Sequence, residues 1–164
     1  MPVNTVNTVN TVNTAVADIN KCLDNKGQEQ SYFIKKGVSL KEYEMHKHIY
    51  DLNIVNVPKI IAYNRETRTM VMEKINNMCV SDYYGEKDID ISHELFMKVK
   101  FIIKTLWNNN IIYPDITGYN FIEYDNKLWI IDFEHSNFKP LVTDNFVEKF
   151  VADSNYKKWN PRFK

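Results

Sequence analysis

Residues 91–109 place Leu95, Phe96, Val99, Ile102, Ile103 and Leu106 at i, i+3, i+4 spacing, one apolar stripe that commits the segment to a long amphipathic helix. Asn108-Asn109-Asn110 ends it. A short loop containing Gly118 follows, then the strand FIEY at 121–124, the turn Asp125-Asn126 and the strand KLWIID at 127–132. The turn folds the end of the second strand back beside the loop. A last helix is expected from Asp144 to Asp153, with Phe146, Val147, Phe150 and Val151 facing inward.

The upstream half is richer in strands. Val3 to Thr14 is four copies of Val-Asn-Thr. A period of three matches neither helix nor strand, so residues 1–14 are expected to be a low-complexity leader and residues 15–164 one domain. Ala15–Leu23 and Gln28–Lys36 flank the turn-forming Asp24-Asn25-Lys26-Gly27 and read as a hairpin. Ser39 opens a helix to about Asn53, with Leu40, Tyr43, His46/Lys47 and Tyr50 along it. The strands KIIAYN and RTMVMEKI flank the polar turn Arg65-Glu66-Thr67.

Lys plus Arg and Asp plus Glu both number 21, which argues against nucleic-acid binding by bulk charge. No stretch approaches the roughly 18 apolar residues of a membrane span, and no secretory signal is visible. Cys22 and Cys79 have no metal-ligand spacing and suit a reducing compartment, so a cytoplasmic protein is expected (host cytoplasm or virion if viral). The four histidines, His46, His48, His93 and His135, are read as surface or partly buried. The twenty asparagines are read first as the codon usage of an A+T-rich genome.

The chemistry gathers in IIYPDITGYNFI at 111–122 and WIIDFEHS at 129–136. Asp115 and Asn120 stand five residues apart on the loop, and Asp132 ends the apolar strand beside it. Two carboxylates and one amide oxygen form a hard-oxygen set suited to Mg²⁺, which takes one or two carboxylates together with substrate phosphates.

These segments resemble the protein-kinase-like superfamily. YPDITGYN keeps the Asp and Asn spacing of its catalytic loop H-R-D-x-x-x-x-N, and Asp132-Phe133-Glu134 is similar to its metal-binding D-F-G. The resemblance implies an α+β, two-lobed fold with ATP and Mg²⁺ as cofactors. Asp115 would be the general base, and Asn120 and Asp132 the metal ligands. SYFIKKG resembles the V-A-I-K strand, which implies a phosphate-contacting Lys35, with Lys36 as the alternative. Its partner would be Glu44 on the following helix, with Glu42 second. VMEKI resembles the hinge, where backbone groups of Glu73, Lys74 and Ile75 would bond the adenine. The D-F-E variant resembles choline and aminoglycoside kinases, and the paired motifs resemble short kinase-like proteins of large DNA viruses.

The departures from the family are specific. The four glycines, at 27, 37, 85 and 118, leave no G-x-G-x-x-G loop. Tyr113 and Pro114 replace the His and Arg of the catalytic loop. The 31 residues after Asp132-Phe133 leave no room for an activation segment with A-P-E or for the usual lower helices, so the C-terminal lobe is expected to be truncated, with most of the peptide platform absent. The expected activity is phosphoryl transfer to a protein Ser/Thr hydroxyl, as in RIO-type and other compact atypical kinases. The alternatives are a small-molecule kinase of the choline or aminoglycoside type and a pseudokinase that binds nucleotide or protein without turnover.

Overall fold

The computed structural model describes residues 32–139 and 144–163. The leader, and the hairpin up to its second strand, lie outside the described residues. Five residues of that second strand form β1, Tyr32–Lys36. Gly37 takes φ 79°, a left-handed turn open to glycine, and Ser39 then caps helix α1, Leu40–Leu52, by accepting the Glu42 N–H at 3.1 Å. Strands β2, Ile60–Asn64, and β3, Thr69–Glu73, complete an antiparallel sheet of order β1-β3-β2.

Register decides which side chains face the cleft. Phe33 lies opposite Met72 and Lys35 opposite Met70, so these four share one face; Ile34 opposite Val71 takes the other. Met70 and Met72 pack with Val38, Tyr43, Ile60 and Tyr63 on the α1 side. Lys36 alternates outward and is exposed.

The chain leaves β3 through residues 74–79 and enters the helical half. There it forms α2, Val80–Tyr84, and the long helix α3, His93–Asn108, capped by Ser92. All six residues of the expected stripe in α3 are buried. Each contributes roughly 1.5–3 kcal/mol of transfer free energy relative to exposure. Strand β4, Ile111–Ile112, pairs with β7, Asn137–Phe138, while β5, Phe121–Tyr124, and β6, Lys127–Ile130, form the expected hairpin. Helix α4, Asn145–Ala152, buries Val147 and Phe150 against α3. The main core therefore runs from Met45 and Ile49 of α1 through α3 and the hairpin to Trp159 near the C-terminus.

Among the described residues no helix is long and apolar enough to cross a membrane.

Candidate active site

Lys35 Nζ lies 2.6 Å from Glu42 Oε1 and 2.9 Å from Asp132 Oδ2. One ammonium thus joins β1, the first turn of α1 and the segment after β6. Burial alone would lower the Lys35 pKa, but bonds to the two carboxylates outweigh it and hold the amine above its ordinary value. Glu42 is 3% exposed; burial pushes its carboxyl above the ordinary glutamate range despite the lysine.

The ion pair corrects the expectation placed on Glu44, which is exposed. Helix periodicity is the reason. The face of α1 turned inward carries Glu42, Met45, His46 and Ile49, at i, i+3, i+4 and i+7, and a residue two positions from Glu42 points to the opposite side. Extending the Met45–Ile49 pair back by three would have found Glu42 in the sequence.

Asp132 has φ 61°, a left-handed conformation uncommon outside glycine but tolerated by Asp and Asn. The turn directs its Oδ2 to Lys35 and lets Oδ1 accept the Glu134 N–H at 3.3 Å. The catalytic-loop segment is tied to the same place. Ile131 N–H donates to Asn120 O at 3.0 Å, and the buried Tyr113 hydroxyl donates to Ile131 O at 2.7 Å. Burial holds that phenol well above its usual pKa, so it stays a neutral donor. Tyr113, standing where the superfamily has His, therefore fixes the backbone that carries Asp132.

Asn120 Nδ2 donates to Asp115 O at 3.0 Å, which leaves the amide oxygen as the end able to bind a cation. Thr117 Oγ1 donates to Asp115 Oδ1 at 3.3 Å, a contact that the loop spacing did not single out. Burial raises the Asp115 carboxyl above its ordinary pKa, and the Asp132 charge adds to this, while Asn120, His135 and Thr117 oppose. Asp132 acts electrostatically on both Glu42 and Asp115, Glu134 adds to its effect on Glu42, and Lys35 and His135 oppose. Among the described residues no three His, Cys, Asp or Glu side chains converge on one metal position, so the hard-oxygen donors that could take a divalent cation are Asp132 and the Asn120 amide oxygen.

The hinge expectation narrows. Glu73 N–H donates to Lys59 O at 2.9 Å and Ile75 O accepts from Asn77 N–H at 2.9 Å. Among the described residues the Lys74 and Ile75 N–H groups have no hydrogen-bond partner and are the hinge donors left for a base, with the Phe33 ring, 53% exposed, on the same face of β1 as Lys35. A separate groove of about 600 Å³ lined by Val55, Met97, Phe101 and Leu128 shares no residue with this carboxylate cluster.

His46 departs from its sequence reading. It is 2% exposed, its Nε2 is 2.7 Å from Pro58 O, and its ring meets Phe133 edge-on at 5.1 Å. Phe133 in turn meets Tyr113 at 5.7 Å, so three rings connect α1 to the catalytic loop. Burial lowers the His46 pKa, so the folded state binds fewer protons than the unfolded state. This contribution to stability is complete above the unfolded value of about 6.5 and is lost as pH falls through the depressed folded value. The melting temperature of wild type should therefore fall more steeply below about pH 6.5 than that of His46→Gln, which keeps an N–H for Pro58 but cannot titrate. Parallel curves for the two proteins would remove His46 from the pH response.

Comparison with known proteins agrees with this geometry. Residues 9–137 match the RIO domain family. The EKC/KEOPS complex subunit BUD32 of Enterocytozoon bieneusi is 27% identical over 118 residues, 65% of this chain and 58% of that protein. A probable bifunctional tRNA threonylcarbamoyladenosine biosynthesis protein of Methanocaldococcus jannaschii is 29% identical over 118 residues, 72% of this chain and 21% of that protein. The chain thus spans under two thirds of the length of either relative. Among solved structures, the Rio2 kinase–ADP/Mg²⁺–phosphoaspartate complex from Chaetomium thermophilum superposes with a TM-score of 0.52 at 20% identity, covering 69% of this chain and 35% of that one. The Cydia pomonella granulovirus kinase PK-1 superposes with a TM-score of 0.50 at 14% identity, covering 77% and 57%. These partial coverages fit a kinase-like fold whose helical lobe is short. With its sheet lobe, its paired loop and hairpin, and a family match over most of its length, the chain belongs to the RIO domain family and has the protein-kinase-like fold, as a minimal atypical member.

Proposed function

We propose that the chain is an ATP- and Mg²⁺-dependent phosphotransferase acting on a protein Ser/Thr hydroxyl. The observation that carries this reading is the triad Lys35–Glu42–Asp132, which joins the sheet lobe to the aspartate beside the catalytic loop. Lys35, oriented by Glu42, would contact the ATP phosphates. The Lys74 and Ile75 N–H groups and the Phe33 ring would receive the adenine. Asp132 and Asn120 would hold Mg²⁺, which when bound would supply positive charge to offset that developing on the transferred phosphoryl group. Asp115, with its Oδ1 steadied by Thr117, would accept the proton of the acceptor hydroxyl as that oxygen bonds to the γ-phosphorus and ADP departs. The Rio2 neighbour, whose complex contains ADP and Mg²⁺, supports the nucleotide and metal in this reading.

A second reading is a binding module with little turnover, favoured by the absence of a glycine-rich loop in the sequence. Two measurements separate the readings. Saturating ATP with Mg²⁺, at 100 times its Kd, should stabilise the protein by about 2.7 kcal/mol, and ATP alone by less. Transfer of γ-phosphate to a generic protein acceptor should accompany it. Stabilisation without transfer favours the binding module, and no stabilisation at millimolar Mg-ATP removes the phosphotransferase and any nucleotide-binding module, leaving a protein-binding one.

A further inference from the structure

The carbonyls on either side of Asp115 are both held by one residue near the C-terminus. Asn160 is 3% exposed. Its Nδ2 donates to Pro114 O at 2.7 Å and its backbone N–H donates to Ile116 O at 2.8 Å. Its own Oδ1 accepts the Arg162 N–H at 3.2 Å, which fixes the amide in one orientation. The Asp115 carbonyl between them accepts the Thr117 N–H and Asn120 Nδ2, both at 3.0 Å. Three successive carbonyl directions are thereby set, and with them the backbone angles that aim the Asp115 side chain.

The neighbour of Asn160 supplies the floor. Trp159 lies 4.9 Å from the Phe96 ring of α3 and stacks on Phe121 at 6.3 Å and 18°. A Cβ at Gly118 would come within 2.4 Å of Ser81 Oγ and 3.3 Å of Trp159 Cζ2, so the loop sits directly on these two side chains. The Trp159 Nε1 is buried with no hydrogen-bond partner among the described residues, so ring packing is what holds the indole in place. The segment ends with Phe163 beside His135, at 4.9 Å.

We infer that Asn160 is a positioning residue for Asp115: the C-terminal segment 159–163 is a clamp that holds the loop carrying Asp115 in its working conformation. The inference rests on the reading of Asp115 as the base, and its test is built to separate the two. Removing the clamp should loosen residues 115–118 while Lys35 and Glu42 keep their contact and Asn120 stays anchored through its carbonyl, which accepts the Ile131 N–H at 3.0 Å.

Asn160→Ala should therefore raise amide hydrogen exchange about tenfold at Asp115–Gly118 while exchange in α3 stays as in wild type. With Mg-ATP and a generic protein acceptor, kcat should fall roughly 10–100-fold, since small misplacements of a reacting group are costly, with KM for ATP within about twofold. Arg162→Ala, which removes the 3.6 Å ion pair to Asp144 and the guanidinium contact with the Phe163 ring at 5.3 Å but keeps the backbone N–H that Asn160 Oδ1 accepts, should change neither quantity. If Asn160→Ala does not fold, Asn160→Asp keeps the volume but loses the donor to Pro114, and carries the same readouts. Loop exchange unchanged, exchange rising equally in loop and α3, kcat unchanged, or kcat and KM worsening together with melting temperature would each overturn the clamp. A wild type that transfers no phosphate overturns the phosphotransferase reading instead, and the exchange comparison alone then decides the clamp.

Discussion

Asp115→Asn is expected to leave Mg-ATP affinity within about twofold of wild type while turnover falls roughly 10²–10⁴-fold, the usual contribution of a positioned general base. The amide keeps the size of the side chain and an oxygen for Thr117, which now donates to Asp115 Oδ1 at 3.3 Å, so the loop has little reason to move. Asp132→Asn should fail differently. On the proposed roles it removes a charged cation ligand, and it removes one of the two carboxylates paired with Lys35, so Mg²⁺-dependent ATP binding and turnover should weaken together. Calorimetric affinity beside a phosphate-transfer rate measures both. Loss of ATP binding in Asp115→Asn would show that the two aspartates have been assigned to the wrong tasks.

Lys35→Ala is expected to reduce ATP affinity at least tenfold and to cost about 1–3 kcal/mol of stability, because it leaves Glu42 buried without its cation. The buried carboxyl can escape part of that cost by protonating, which is why the cost stays below the roughly 3–5 kcal/mol of a fully buried pair that is broken. Lys36→Ala should do little, since that side chain is exposed. Glu42→Gln should weaken nucleotide binding while Glu44→Gln does not. Equal effects from the two glutamates, measured by nucleotide titration and thermal unfolding, would undo the assignment of Glu42 as the partner of Lys35.

Much of this arrangement was legible in the sequence because it is local. The stripe of α3, the turn at Asp125-Asn126 and the five-residue interval from Asp115 to Asn120 are all patterns within one or two elements, where period and turn chemistry act directly. Glu42 was displaced in favour of Glu44 because a search for apolar periodicity passes over a buried charge, although the charge belongs to the same face as Met45 and Ile49. The spacing puts His46 along the helix, but its burial depends on Pro58 and Phe133, which only tertiary packing brings to it. Asn160 could not be found by spacing at all: it reaches Pro114 across 46 residues, and only tertiary packing brings them together. The short pair of Ile111–Ile112 with Asn137–Phe138 is similarly invisible, being two residues long on each side.

The left-handed turn at Asp132 is one of a set. Six non-glycine residues among those described have positive φ: Asn53, Arg68, Asn110, Asp125, Asn126 and Asp132. All but Arg68 are Asn or Asp, the side chains that bear this conformation best after glycine. In a chain with four glycines and twenty asparagines, a bias that looks like nucleotide composition has been put to conformational use: asparagine ends α1 at Asn53 and turns the chain after α3 at Asn110. Alanine is consequently a poor probe at these positions. It would add about 1–2 kcal/mol of backbone strain to whatever contact it removed, and at Asp132 that strain would be mistaken for the worth of a metal ligand.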